Sequence, residues 1–104
     1  MDEFNQIIHQ PVRLRIMAAL TSLDEGARVD FTALRNYLKV TDGNLGAHLN
    51  KLEIAAYIAV EKAFIGRKPR TYIAVTPLGQ QAFAQHVARL AAILQARPEL
   101  DESP

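Results

Sequence analysis

The chain of 104 residues has room for one folded domain, and 49% apolar and 22% charged residues are typical of a globular protein. The absence of cysteine excludes disulfides, thiolate zinc sites, iron–sulfur clusters and cysteine nucleophiles. No uncharged apolar run approaches the roughly 18 residues of a membrane span. Since the N-terminus also lacks the features of a signal peptide, we expect a cytoplasmic protein.

The net charge of +1 hides an uneven distribution of charges along the chain. Residues 4–98 hold all 12 lysines and arginines and only 6 acidic residues, so this part carries +6. Such an excess suits a polyanionic partner such as nucleic acid, and it equally suits a well-solvated surface. We expect one domain over residues 1–97 and an acidic tail over 98–104.

Three helices and a short strand are predicted in the first half of the chain. Apolar residues at helical spacing behind Pro11 predict a helix over 11–23. Residues 29–31 alternate like a short strand. Thr32 is the candidate N-cap of a second helix over 32–39, in which Leu34, Tyr37 and Leu38 face inward.

The third predicted helix begins after Thr41, a good N-cap residue, and runs to about residue 54. Leu45, Leu49 and Leu52 lie on one side of it and form a buried stripe. Two short helices joined by a tight turn have the geometry of a helix-turn-helix.

A hairpin and a long helix complete the predicted elements. Residues 57–64 and 70–75 are rich in β-branched and aromatic residues, and the glycine and proline of segment 65–69 indicate a turn. Thr76 and Pro77 then start a helix that ends before Pro98. The predicted fold class is α+β, mainly α: a winged helix-turn-helix with a two- to three-stranded wing sheet and a long C-terminal dimerisation helix over 77–96.

The last helix carries a seam with a/d-like spacing, bordered by alanines, that favours pairing with a second copy. Packing within one subunit is the alternative. The predicted dimer-interface residues are Phe4, Ile7, Ile8, Phe83, Val87, Leu90 and Leu94.

Residues 41–53, 62–76 and 9–16 resemble the recognition helix, the wing and the first helix of small stand-alone winged-helix regulators related to the MarR and ArsR types. The resemblance implies a homodimeric transcriptional regulator of a bacterium or archaeon. The chain departs from it at Gly46, where serine is common, and at Ala56, where glycine is common. An alanine held at positive φ would be strained.

The side of the third helix opposite its leucines is predicted to face the major groove. Asparagine can pair with adenine, lysine seeks guanine or phosphate, and small residues let the backbone approach. The helix N-terminus and the arginines of the wing suit phosphates or the minor groove. The predicted DNA-contacting residues are Thr41, Gly43, Asn44, Ala47, His48, Asn50, Lys51, Arg67, Lys68 and Arg70.

The predicted partner is double-stranded DNA with a pseudo-palindromic operator. The two-fold symmetry of a dimer would place its half-sites about 34 Å apart. The alternative is a winged-helix module that binds proteins and not DNA. No motif pairs a nucleophile with a base, no cofactor motif is present, and the three histidines lack partners at metal-ligand spacing. An enzyme, a cofactor and a metal site are therefore not expected, and any small-molecule effector would bind at the subunit interface.

Overall fold

A computed structural model describes residues 4–101. In this part of the chain, four helices combine with a three-stranded antiparallel sheet, and the predicted winged helix-turn-helix is confirmed. The elements are α1 (Pro11–Thr21), β1 (Val29–Asp30), α2 (Phe31–Leu38), α3 (Asp42–Ile54), β2 (Ile58–Ile65), β3 (Lys68–Val75) and α4 (Pro77–Gln95).

Polar side chains cap the helices that position the rest of the fold. The Thr41 hydroxyl accepts a hydrogen bond from the Asn44 N–H at 3.1 Å, as the sequence predicts for the start of α3. The prediction for α2 is wrong, because the cap is Asp30 and not Thr32. The Asp30 carboxylate accepts from the Thr32 N–H at 3.3 Å, so the helix starts earlier and Thr32 lies in its first turn.

The sheet has the order β1-β3-β2, and β2 and β3 form the wing. Pairing reaches closer to the turn than predicted: β2 is shifted by one residue to end at Ile65, and β3 starts two residues earlier, at Lys68, which leaves a two-residue turn. Gly66, the first central residue of that turn, has a φ of 65°, as a type II′ turn requires.

One apolar cluster holds the helices against the sheet. The leucine stripe of α3 is buried as predicted, and its partners are listed here: Ile8, Ile16, Met17, Leu20, Leu34, Leu38, Ile58 and Ile73. Ile8 is 0% exposed, so its assignment to the dimer interface is wrong: the side chain packs inside the core of the chain itself. Tyr37 was expected inside but is 68% exposed, because the inner face of α2 is already filled by two leucines.

The start of α4 lies directly against the root of the wing. Thr76 donates its hydroxyl to the Ala56 carbonyl at 2.6 Å and its N–H to the Tyr57 carbonyl at 3.0 Å. A Cβ on Gly79 would overlap that same Tyr57 oxygen, so only glycine fits. Ala56 has a φ of 64°, the positive value that the sequence comparison anticipated.

Candidate nucleic-acid interface

The outer face of α3 combines small residues with free amides. At about 100° per residue, Gly43, Ala47 and Asn50 lie opposite the buried leucines, with Asn44 and Lys51 at one margin. All five are exposed. The side chains of Asn44 and Asn50 form no hydrogen bond with any residue between 4 and 101, so their donors and acceptors are available to a ligand.

Open space surrounds the two glycines of this helix. A Cβ placed on Gly43 or on Gly46 would meet no atom within 4 Å. Packing inside the protomer therefore does not require glycine at either position. The missing side chains instead allow a flat surface to approach the helix backbone closely.

A salt bridge holds the N-terminal end of α3 against α2. Arg35 Nη1 lies 2.7 Å from Asp42 Oδ1. Asp42 is in the first turn of α3, where its negative charge interacts favourably with the helix dipole but would repel a phosphate. The arginine offsets that charge. This role was not predicted from the sequence, because the two residues are seven positions apart across a turn.

His48 contacts the first helix and not open solvent alone. Arg13 Nη1 lies 3.1 Å from its Nδ1, and because a guanidinium can only donate, Nδ1 accepts and the ring proton is on Nε2. Burial lowers the pKa of His48, and the Arg13 charge lowers it further. His48 is thus a half-buried residue that accepts at Nδ1, carries its proton on Nε2 and packs against α1.

Two arginines on the face of the sheet turned away from the helices are paired with acidic residues. Arg28 Nη1 lies 2.7 Å from Glu61, with its guanidinium 4.0 Å above the Tyr72 ring. Arg70 Nη1 lies 3.0 Å from the Asp30 carboxylate. Arg70, a predicted DNA contact, therefore already links the wing to the cap of α2.

The wing tip carries cations without such partners. Within residues 4–101, no acidic side chain pairs with Lys62, Arg67 or Lys68, and all three are exposed. Two of them were predicted from the sequence. Lys62 was missed, although the alternation of β2 places it on the same face as Ile58.

The predicted seam of α4 divides into an inner and an outer part. Phe83 is half-buried and packs against the core of its own protomer. Leu90 is half-buried, Val87 is exposed and Leu94 is 82% exposed. Ile93 is also exposed and was missed, because it lies outside the a/d spacing.

The N-terminal segment packs beside α4 through an aromatic cluster. Phe4 stacks on His9 with 4.4 Å between ring centroids, and His9 Nδ1 lies 3.3 Å from His86 Nε2. His86 is 2% exposed; burial lowers its pKa, and His9 and then Arg89 lower it further. Ile7 is half-buried against the core, so of the three predicted N-terminal contacts Phe4 and Ile7 keep some accessible surface.

The sequence matches the family model described as a winged helix DNA-binding domain over residues 12–94. The chain belongs to this winged-helix family of transcriptional regulators. The predicted resemblance is thereby confirmed at the level of the family, and the finer likeness to the MarR and ArsR types stays a prediction. Family and fold are those of regulators and not of enzymes.

Known proteins resemble the chain over most of its length. An uncharacterized protein of Methanocaldococcus jannaschii is 34% identical over 82 residues, which is 79% of this chain and 86% of that protein. A transcriptional regulator homologue from Pyrococcus horikoshii superposes with a TM-score of 0.78 at 29% identity, covering 86% of each chain. PadR of Bacillus subtilis, solved in complex with operator DNA, shares the fold: TM-score 0.64, 16% identity, 92% of this chain and 54% of that one.

Two classes of site find no basis in the described residues. No group of three histidine, cysteine or acidic residues between 4 and 101 is placed to hold a metal ion. None of the helices in that range is long and apolar enough to cross a membrane.

Proposed function

We propose that the protein is a homodimeric, cytoplasmic regulator that binds a pseudo-palindromic operator in double-stranded DNA. In this proposal α3 enters the major groove and the wing contacts the minor groove or the backbone. The observation that carries it is the outer face of α3, where Asn44 and Asn50 are exposed and unbonded beside residues too small to block a duplex. One domain over residues 1–97, followed by an acidic tail, would suffice for this function.

Base reading is assigned to the asparagines and to Lys51. An asparagine amide presents one donor and one acceptor, which match N6 and N7 of adenine in the major groove. Lys51 would reach guanine or phosphate, while Thr41 and the first N–H groups of α3 would face a phosphate. Gly43 and Ala47 complete the contact face by allowing the backbone to come close.

The wing is assigned to the phosphates and the minor groove. Arg67 lies in the two-residue turn and Lys68 directly follows it, and neither has an acidic partner among residues 4–101. Because cations at such a tip attract any duplex, they supply affinity more than sequence preference. The fold shared with the DNA-bound PadR supports this arrangement.

Dimerisation is assigned to the outer part of α4, with Phe4 beside it. The exposed apolar residues Val87, Ile93 and Leu94 would be covered by the same surface of a second copy. Two recognition helices would then lie about one DNA turn apart, roughly 34 Å. Sedimentation velocity of the wild type and of Leu94→Glu tests this step, since a charge in the seam should give monomers.

Selection of bound sequences from a random duplex pool tests the proposal as a whole. A symmetric enriched motif supports the dimer and the base reading together. Titrations at several salt concentrations should show a steep fall of affinity, as about 6–10 phosphate contacts require. No enrichment combined with a flat salt dependence would favour the alternative, a winged-helix module that binds a protein and has no use for a basic wing tip.

A further inference from the structure

Two large apolar side chains are exposed among the cations of the wing tip. Phe64 is 73% exposed and Ile65 is 56% exposed. Neither belongs to the core or to the residues packed against it. Core stability therefore does not explain a phenylalanine at this position.

The alternation of β2 assigns the two side chains to opposite faces of the wing. Ile58 is buried and Val60 packs against the core, so Phe64 shares the face that the helices cover at the other end of the sheet. Ile65 instead shares the face of Glu61, whose charge is paired with an arginine. Only Phe64 thus points to the side of the sheet on which α3 lies.

Phe64 and its cross-strand partner Pro69 form an apolar edge of the hairpin. Phe64 pairs with Pro69, which has no N–H to donate, so the two form a non-hydrogen-bonded pair with closely spaced side chains. Lys62 precedes Phe64 by two residues on the same face, and Arg67 and Lys68 follow at the turn. An apolar edge framed by cations results.

We propose that Phe64 is a wedge that enters the minor groove and partly unstacks one base step when the wing binds DNA. This inference rests on the proposed function. An apolar side chain flanked by cations suits a DNA duplex, whose phosphates attract the cations and whose stacked bases can receive the apolar group. Such wedges kink duplexes in architectural proteins. A second copy of this chain is a poorer occupant, because its own wing would bring like charges to the same place.

The test compares Phe64→Ala with its matched control Ile65→Ala on a duplex selected with the wild type. End-to-end energy transfer reports bending, and 2-aminopurine at the contacted step reports unstacking. For Phe64→Ala we expect the bend and the unstacking to disappear and affinity to fall about 10- to 100-fold, the loss of one large apolar contact. The slope of log affinity against log salt should not change, because no charge is removed.

Ile65→Ala should keep the bend, the unstacking and the affinity, and Phe64→Leu should keep the bend. Equal losses in Phe64→Ala and Ile65→Ala would overturn the wedge, since they would indicate a generally weakened wing. An unbent wild-type complex, or a Phe64→Ala complex that is bent like the wild type, would overturn it while leaving DNA binding intact. A Phe64→Ala protein that binds DNA normally but dissociates into monomers would reassign the residue to a second copy. A wild type that binds no duplex would remove the proposed function and the wedge together.

Discussion

Nη1 of Arg13 lies 3.1 Å from Nδ1 of His48, and this contact ties α1 to the middle of α3. The same guanidinium donates through Nε to the Ile7 carbonyl. One arginine thus joins the N-terminal segment, α1 and α3. Its guanidinium thus forms two hydrogen bonds within the chain.

Arg13→Met should lower the free energy of unfolding by about 1–2 kcal/mol, because a carbonyl and a ring nitrogen lose their donor. The pKa of His48 should rise, because the positive charge that lowers it is removed. Urea unfolding and an NMR titration of the His48 ring measure the two effects. Lys51→Met is the matched control: it removes the same charge from an exposed position, and an equal loss of stability there would refute the assignment.

Stability should decrease as the pH falls below the ordinary histidine pKa of about 6.5. Burial, the largest cause in both, lowers the pKa values of His48 and His86 in the fold. Below that pH the unfolded chain binds protons that the folded chain does not, so the free energy of unfolding declines. Above that pH the contribution of these two histidines to the free energy of unfolding is fully present.

Urea unfolding at about pH 7.5 and about pH 5 measures this decline. His86→Leu should make this decline with pH shallower, because it removes one of the two histidines. Nδ1 of His86 is buried without a hydrogen-bond partner in the described structure, so the site can accept an apolar side chain. A stability that is independent of pH across this range would contradict the assignment.

Substitution of Gly46 and of Gly79 by alanine should have opposite effects on stability. Gly46→Ala should stabilise the protein by about 1 kcal/mol, since it improves helix propensity in open space. Gly79→Ala should destabilise it by about 3 kcal/mol or more, because the new Cβ would overlap the Tyr57 carbonyl. Thermal unfolding measures both. Under the proposed function Gly46→Ala also weakens DNA binding, and unchanged affinity would show that the duplex does not approach this point.

Ala56→Gly should stabilise the protein by roughly 0.5–1 kcal/mol. Its φ of 64° strains an alanine and not a glycine, and the gain is reduced by the greater freedom of glycine in the unfolded chain. Ala47→Gly, in the middle of α3, is the control and should lose about 1 kcal/mol. A loss in both variants would mean that the positive φ carries no strain.

Arg67→Gln should weaken binding to all duplexes alike and reduce the salt slope by about 1. Arg28→Gln is the matched control, because it removes the same charge from the paired face of the sheet. Asn50→Ala should instead alter which sequences are enriched from a random pool. If Arg28→Gln weakens binding as much as Arg67→Gln, only the total charge matters and the wing has no specific role.

Local rules predicted much of the fold. The stripe Leu45, Leu49 and Leu52 and the cap Thr41 follow from residue spacing and from one side chain bonding to a nearby N–H. The cap of α2 was missed because Asp30 and Thr32 are both good caps, and only the pairing of β1 with β3 decides where the strand ends.

The features of the candidate site that the sequence did not predict share one cause. Ile8 was assigned to an interface because periodicity does not reveal that the N-terminal segment folds back into the core. The pairing of Arg70 with Asp30 was missed because the two residues are 40 positions apart. Which charges pair with each other is decided by tertiary structure, and neither composition nor spacing records it.

The junction of Thr76 and Gly79 with the wing root has a mechanical consequence. Two hydrogen bonds from Thr76 and the close approach of Gly79 to the Tyr57 carbonyl brace the connection between the hairpin and the helix. The 19-residue α4, about 28 Å long, is therefore joined to the wing by a braced connection. Under the proposed function, a change in the tilt of α4 would move the wing with it and so alter the contacts with DNA.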